Sequence, residues 1–215
     1  ENVTSLARNI GYVPRSRTAA TATISFTAET STSTPLMTLK AGIVCVGNQS
    51  DTSVVFSTPE DISVPVIANK GTFSNINIKQ GTLLTKTFTV DGSLDQRFIL
   101  DNPGVDTSTI RVYVKSAGDA GLGEQYSLVE NILNVTSTSE IYLIQEVQDE
   151  SYELLFGDGY IGKKLENGAV ITVHYIITDG VDGNGMGSGN SFSYSGQILN
   201  SSGATLQLST SPTIT

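Results

Sequence analysis

Residues 152–168 read YELLFGDGYIGKKLENG, and residues 169–177 continue AVITVHYII. An apolar run enters a Gly-Asp-Gly turn, a Gly-Lys-Lys step and an Asn-Gly turn, and a β-branched run follows. Glycine admits positive φ and a turn aspartate bonds nearby amides, so the stretch reads as strand, tight loop, strand. The two flanking runs are expected to pair as a hairpin. Phe156, Gly157, Asp158, Gly159, Gly162, Asn167 and Gly168 then form a structural turn motif, with Lys163 and Lys164 exposed for a neighbour.

Outward from this motif the chain keeps a period of two. Ala20, Ala22, Ile24, Phe26 and Ala28 fall on one face, with Thr21, Thr23, Ser25 and Thr27 on the other, as in a half-buried strand. A polar loop over 30–35 follows. Further strands are expected at 41–46, 52–57, 62–67 and 72–79, where Pro65 marks an edge strand and Gly71, Gly81 and Gly92 mark turns. A second set begins near Leu83, with LLTKTFTV, QRFILD and TIRVYVK, the last placing Ile110, Val112 and Val114 inward. Residues 122–135 are ambiguous, since Tyr126, Val129 and Leu133 fit a helical stripe while Tyr126 and Leu128 fit a strand, and two short strands are the favoured reading; 139–147 is one more strand, and FSYSGQIL and ATLQL follow as two others.

The expected fold is therefore all-β, with two β-sandwich-like domains. Because strands return after the second set, the first domain is expected to span 20–82 and to be completed by 180–215. The second, over 83–179, is then inserted in it and carries the FGDG motif. Val3, Leu6, Ala7 and Ile10 sit at helical spacing before Gly11, which predicts a short N-terminal helix within a connector over 1–19. Arg8, Arg15 and Arg17 leave residues 1–17 net positive on an acidic chain, a possible docking segment for an acidic partner or else a solvated linker.

With 12 basic against 21 acidic side chains, the surface repels nucleic acid and anionic membrane. Serine and threonine number 51, which favours extended, hydroxyl-faced strands. A lone Cys45 excludes an intrachain disulfide and, between Ile43, Val44 and Val46, reads as a small core hydrophobe. No apolar run approaches the roughly 20 residues of a membrane helix. The chain begins at Glu1 without Met, so a piece of a longer protein is expected.

Catalytic chemistry finds little purchase. Glu146, Asp149, Glu150, Glu153 and Asp158 crowd one region, and a glycosidase needs two carboxylates about 5 to 9 Å apart. Its acid also needs an apolar cleft to raise its pKa, and the chain has no Trp to wall one. Asp158, Asp179 and Asp182 in glycine turns invite calcium, but EF-hand spacing is missing and such aspartates ordinarily bond their own backbone. Gly183, Gly185, Gly187 and Gly189 lack dinucleotide-loop spacing and read as a connector. His174, the single imidazole, lies in a strand with no nucleophile elbow nearby. No catalytic residue, metal or cofactor is expected.

FGDGYIGKKLENGAVITVHYI followed by DGVDGNG resembles the signature of baseplate wedge proteins of contractile-tailed, T-even-like bacteriophages, the baseplate J-like family. LARNIGYVPRSRTAA is similar to that family's passage from helix to β structure, and IYLIQEVQDESYELLFGDG to its approach to the motif. The resemblance runs in order over most of the chain and lacks the helical regions of the wedge core, which implies a fragment. It implies a virion structural part, assembled in the host cytoplasm, that joins other wedge subunits and copies of itself in a ring around the tail hub. That ring would rearrange when the sheath contracts. A carbohydrate-binding β-sandwich of a virion or secreted protein is the alternative, and it calls for a shallow aromatic patch.

Overall fold

The computed structural model describes residues 16–49, 52–93, 95–129, 134–147, 150–180 and 192–215. The helix expected over 2–10 lies outside them, as do Arg8, Arg15 and the glycine series from Gly183 to Gly189. Every named element among the described residues is a β-strand. The chain divides into two compact units, one comprising Glu1–Arg17, Lys86–Thr107 and Val112–Thr172, the other Thr18–Thr85, Ser108–Arg111 and Val173–Thr215.

The first sheet is built from β1 (Thr21–Glu29), β2 (Leu36–Leu39), β3 (Gly42–Gln49), β4 (Thr52–Thr58), β5 (Ile62–Ile67) and β6 (Lys70–Gln80). Two late strands, β14 (Phe192–Tyr194) and β15 (Ile198–Asn200), join them. Their order is β14-β3-β4-β6-β5-β2-β15, with β1 antiparallel to β6 from Thr21↔Lys79 to Glu29↔Lys70. The register slips between Ile24 and Phe26, where Asn75 takes φ 54° and donates its amide to Ser25 Oγ at 3.0 Å. The bulge absorbs the extra residue, and Ile24, Phe26 and Ala28 all stay buried.

These side chains pack with Met37, Leu39, Val44, Cys45, Phe56, Phe73, Ile76 and Ile78, and with Ile198 and Leu206 from the end of the chain. Phe26 stacks on Phe73 at 4.8 Å between ring centroids, and Phe192 meets Phe56 edge-on at 5.3 Å. Such pairs add to the burial of apolar area.

Several sequence expectations are corrected here. Pro65 is not in an edge strand, since β5 lies between β6 and β2. It is tolerated because β5 pairs with β6 at Val66 and Ile67, next to the turn, so the missing N–H falls where that ladder has no register partner. The turn itself is not at Gly71. Ala68 and Asn69 take φ 50° and 63°, the two-residue geometry of a type I′ hairpin. Gly71 instead lies in β6 above the core, where a Cβ would come within 2.7 Å of Met37 Sδ.

The strand β2, read in sequence as no element, pairs with β5 from Leu36↔Pro65 to Leu39↔Ile62 and with β15 through Leu39↔Ile198. FSYSGQIL is split into β14 and β15 around Gly196. ATLQL forms isolated bridges, Leu199↔Thr205 and Thr30↔Leu208, rather than a strand.

The second sheet has the order β7-β13-β9-β10-β11-β12-β8. Its strands are β7 (Thr82–Thr89), β8 (Phe98–Leu100), β9 (Val105–Lys115), β10 (Glu124–Leu128), β11 (Ile141–Glu146), β12 (Tyr152–Phe156) and β13 (Val170–Ile177). Ile110, Val112 and Val114 are buried, as their alternation predicts. Of the two strands expected over 122–135, β10 is present, and residues 130–133 lie outside the described part. Tyr126, Phe156 and Phe98 meet edge to face in a row, with centroids 6.0 and 5.4 Å apart.

Candidate functional site

The loop that joins β12 to β13 is not the bend of a hairpin. β12 pairs with β11 from Tyr142↔Phe156 to Glu146↔Tyr152 and with β8 on its other edge, while β13 lies between β7 and β9. Residues 157–169 therefore cross from one part of the sheet to another. A β-branched run on each side of a turn signals two strands and says nothing of which strands they join.

The loop is held by its backbone. Asp158 Oδ1 accepts the amides of Tyr160 and Ile161 at 2.8 and 2.9 Å, which keeps its carboxyl below the usual range. The Gly159 amide donates to the Gly162 carbonyl at 3.0 Å, and Gly157 bridges to Lys164. Gly159, Gly162 and Gly168 have φ between 82° and 94°, where a side chain is strained. The base is tied down by amides of Gly162 and Lys163 donating to Thr136 and Ser139 carbonyls at 3.0 and 2.8 Å. At the far end the Gly168 amide donates to Val90 O at 2.7 Å, and Asn167 lies against Gly92.

Both lysines are exposed, as expected, and Lys163 Nζ donates to Glu140 Oε1 at 2.7 Å, so its charge is engaged within the chain. At the tip Tyr160 is 86% exposed and is the one exposed aromatic side chain among the described residues. Arg17, the described member of the arginine group, makes an ion pair with Glu150 at 3.3 Å.

The carboxylates that invite a catalytic reading have other partners. Glu153 is gripped by Arg97, Nε to Oε1 and Nη2 to Oε2, both at 2.8 Å. These hydrogen bonds hold its pKa below the ordinary value, opposite to what a general acid needs. Asp179 accepts from Gln80 Nε2 at 3.1 Å, and Asp149 and Asp182 lie outside the described residues. Burial lowers the pKa of His174 against the opposing influence of Asp61 and the Pro59 backbone, so the imidazole is neutral near pH 7. Burial pushes the Cys45 thiol up to about 12, far from a reactive thiolate. Sequence reasoning missed Glu140, Ser139, Thr136, Val90 and Arg97 as the groups that fix the loop and its strand. All act across the fold, and no local pattern announces them.

The fold and the site define a β-protein with a surface loop whose polar groups hold its backbone shape beneath an exposed tip. Comparison with known proteins gives that class a particular likeness. Residues 84–180 match the family described as bacteriophage baseplate wedge protein gp6, third domain. The chain is also 26% identical over 217 residues to baseplate wedge protein gp6 of Enterobacteria phage T4, covering 93% of this chain. It spans 31% of the length of that relative. The likeness read from the FGDG motif is thus to a baseplate wedge subunit.

Proposed function

We propose that this chain is a structural part of a phage tail baseplate wedge, located in the virion. The observation that carries the reading is the in-order similarity to gp6 over 93% of the chain, with the family match on the segment that holds the loop. The site chemistry is compatible with it: Asp158, Lys163 and Glu153 are each engaged in bonds that stabilise the fold. In this reading the protein joins other wedge subunits and further copies of itself around the tail hub, is assembled in the host cytoplasm and shifts when the sheath contracts. It performs no catalysis. Lys164 and the segment with Arg8, Arg15 and Arg17 are proposed contact points.

The same reading includes an inserted arrangement, with 83–179 as a domain set within 20–82 and 180–215. The family match to 84–180 supports it, as does the joint core of β1–β6 with Phe192, Ile198 and Leu206. The test is sedimentation velocity of the full-length protein mixed with the other wedge subunits of the same phage. A stable complex is expected; full-length protein that stays monomeric in every mixture would refute the proposal.

A further inference from the structure

Asn167 is followed by Gly168, and the same dipeptide recurs at Asn184–Gly185, outside the described residues. In an Asn-Gly pair the glycine nitrogen can attack the asparagine side-chain amide, since glycine has no Cβ to obstruct the approach. Asn167 is exposed, so water reaches the site. The reaction then depends on whether the backbone lets the two groups meet.

Three features of the fold keep them apart. The Ala169 amide donates to the Glu166 carbonyl at 3.1 Å, and Gly168 has φ 82° while Asn167 has no positive φ, which defines a type II turn with glycine in its third place. Ring closure needs the Gly168 nitrogen and Asn167 Cβ nearly eclipsed about the Asn167 Cα–C bond, and a type II turn rotates them well away from that arrangement. The nitrogen is also engaged: the Gly168 amide donates to Val90 O at 2.7 Å, and the Val90 amide returns a bond to Ala169 O at 2.9 Å. The Asn167 side chain, meanwhile, lies against Gly92, where an added Cβ would stand 3.3 Å from its Cγ.

We propose that Asn167 is a deamidation site gated by this clamp on Val90: it reacts when Gly168 releases Val90, and its isoaspartyl product keeps the far end of the 157–169 loop from closing again. The inference is independent of the baseplate reading. In the open state the Gly168 nitrogen gives its proton to water and bonds to Asn167 Cγ. The Cγ–Nδ2 bond breaks, and the nitrogen leaves as ammonia with a proton from water. Water then opens the cyclic imide at either carbonyl. One opening gives aspartate on an unchanged backbone; the other gives isoaspartate, whose main chain is longer by a methylene and no longer places Gly168 and Ala169 opposite Val90.

The test incubates the full-length protein at mildly alkaline pH, in buffer and in denaturing urea, and follows deamidation by peptide mapping. Asn184 in urea confirms that the chemistry is running. Asn167 should react at least about tenfold more slowly in buffer than in urea, because a local opening must come first. That slowing should match the protection of the Gly168 amide against hydrogen exchange, since both reactions take the same proton through the same opening. The isolated isoaspartyl form should exchange the Val90 and Gly168 amides faster than unmodified protein, while core amides in β9 keep their protection. Equal rates in buffer and urea, a slowing unrelated to Gly168 protection, or an isoaspartyl form with both amides still protected would each overturn the gate.

Discussion

Gly157 and Gly162 meet backbone to backbone: a Cβ placed on Gly157 would lie 2.2 Å from the carbonyl carbon of Gly162 and 2.4 Å from its oxygen. The obstacle is main chain tied to Thr136, so it cannot swing aside as a flexible side chain would. Gly157→Val should therefore lower stability by at least about 1–3 kcal/mol through overpacking. A thermal melt should show a drop of several degrees, while Gly203→Ala, in open space at positive φ, reports the cost of backbone strain alone.

Asp158 acts as the cap of this loop. Replacing it with Ala removes the acceptor for two amides, so hydrogen exchange at Tyr160 and Ile161 should accelerate while core amides in β11 keep their protection. In wild type the protection of these two amides, relative to their intrinsic exchange at each pH, should likewise fall as pH drops through the lowered pKa of Asp158. Equal exchange rates in wild type and Asp158→Ala would show that the turn holds its shape without the carboxylate.

Two groups give stability an acid limb, in separate windows. The folded pKa of Glu153 is depressed by Arg97, so its contribution is complete above the unfolded value of about 4.3 and is lost as pH falls through the folded value. His174 is also depressed, here by burial. Its neutral form contributes fully above about 6.5, and stability declines below that until the imidazole protonates in the folded state. Urea titrations over pH should lose the upper slope in His174→Gln and the lower slope in Glu153→Gln.

Cys45 reports on the core around it. Its thiol is fully buried and raised to about 12, so a thiol reagent at pH 8 should label the native protein at the rate of opening rather than of chemistry. Phe73→Ala, which deletes the ring stacked on Phe26, should cost about 3–5 kcal/mol and speed labelling strongly. Rapid labelling of wild type under native conditions would contradict the packing described.

Much of the strand content was legible because alternation is a direct image of burial: Ile24, Phe26 and Ala28 face inward, as do Ile110, Val112 and Val114. Partnership was not legible. The hairpin expected around the FGDG loop is a crossing, and Pro65 sits in an interior strand, because pairing is decided by residues far away in sequence. LMTL in β2 carries too short a pattern to stand out, although Met37 and Leu39 are fully buried. At the loop, the aspartate turn could be read from Gly-Asp-Gly, since an Asx bond is local. The Glu140 partner of Lys163 and the Val90 carbonyl beneath Gly168 could not.

The pairing of Leu39 with Ile198 sets an order of events during synthesis. β5 and β6 can close over Ala68–Asn69 as soon as they emerge, since a two-residue turn needs a search of microseconds. The core they cover still lacks Phe192, Ile198 and Leu206. On the ribosome β1–β6 must therefore wait, partly uncovered, until β14 and β15 are made, which is an interval in which a nascent chain is exposed to aggregation.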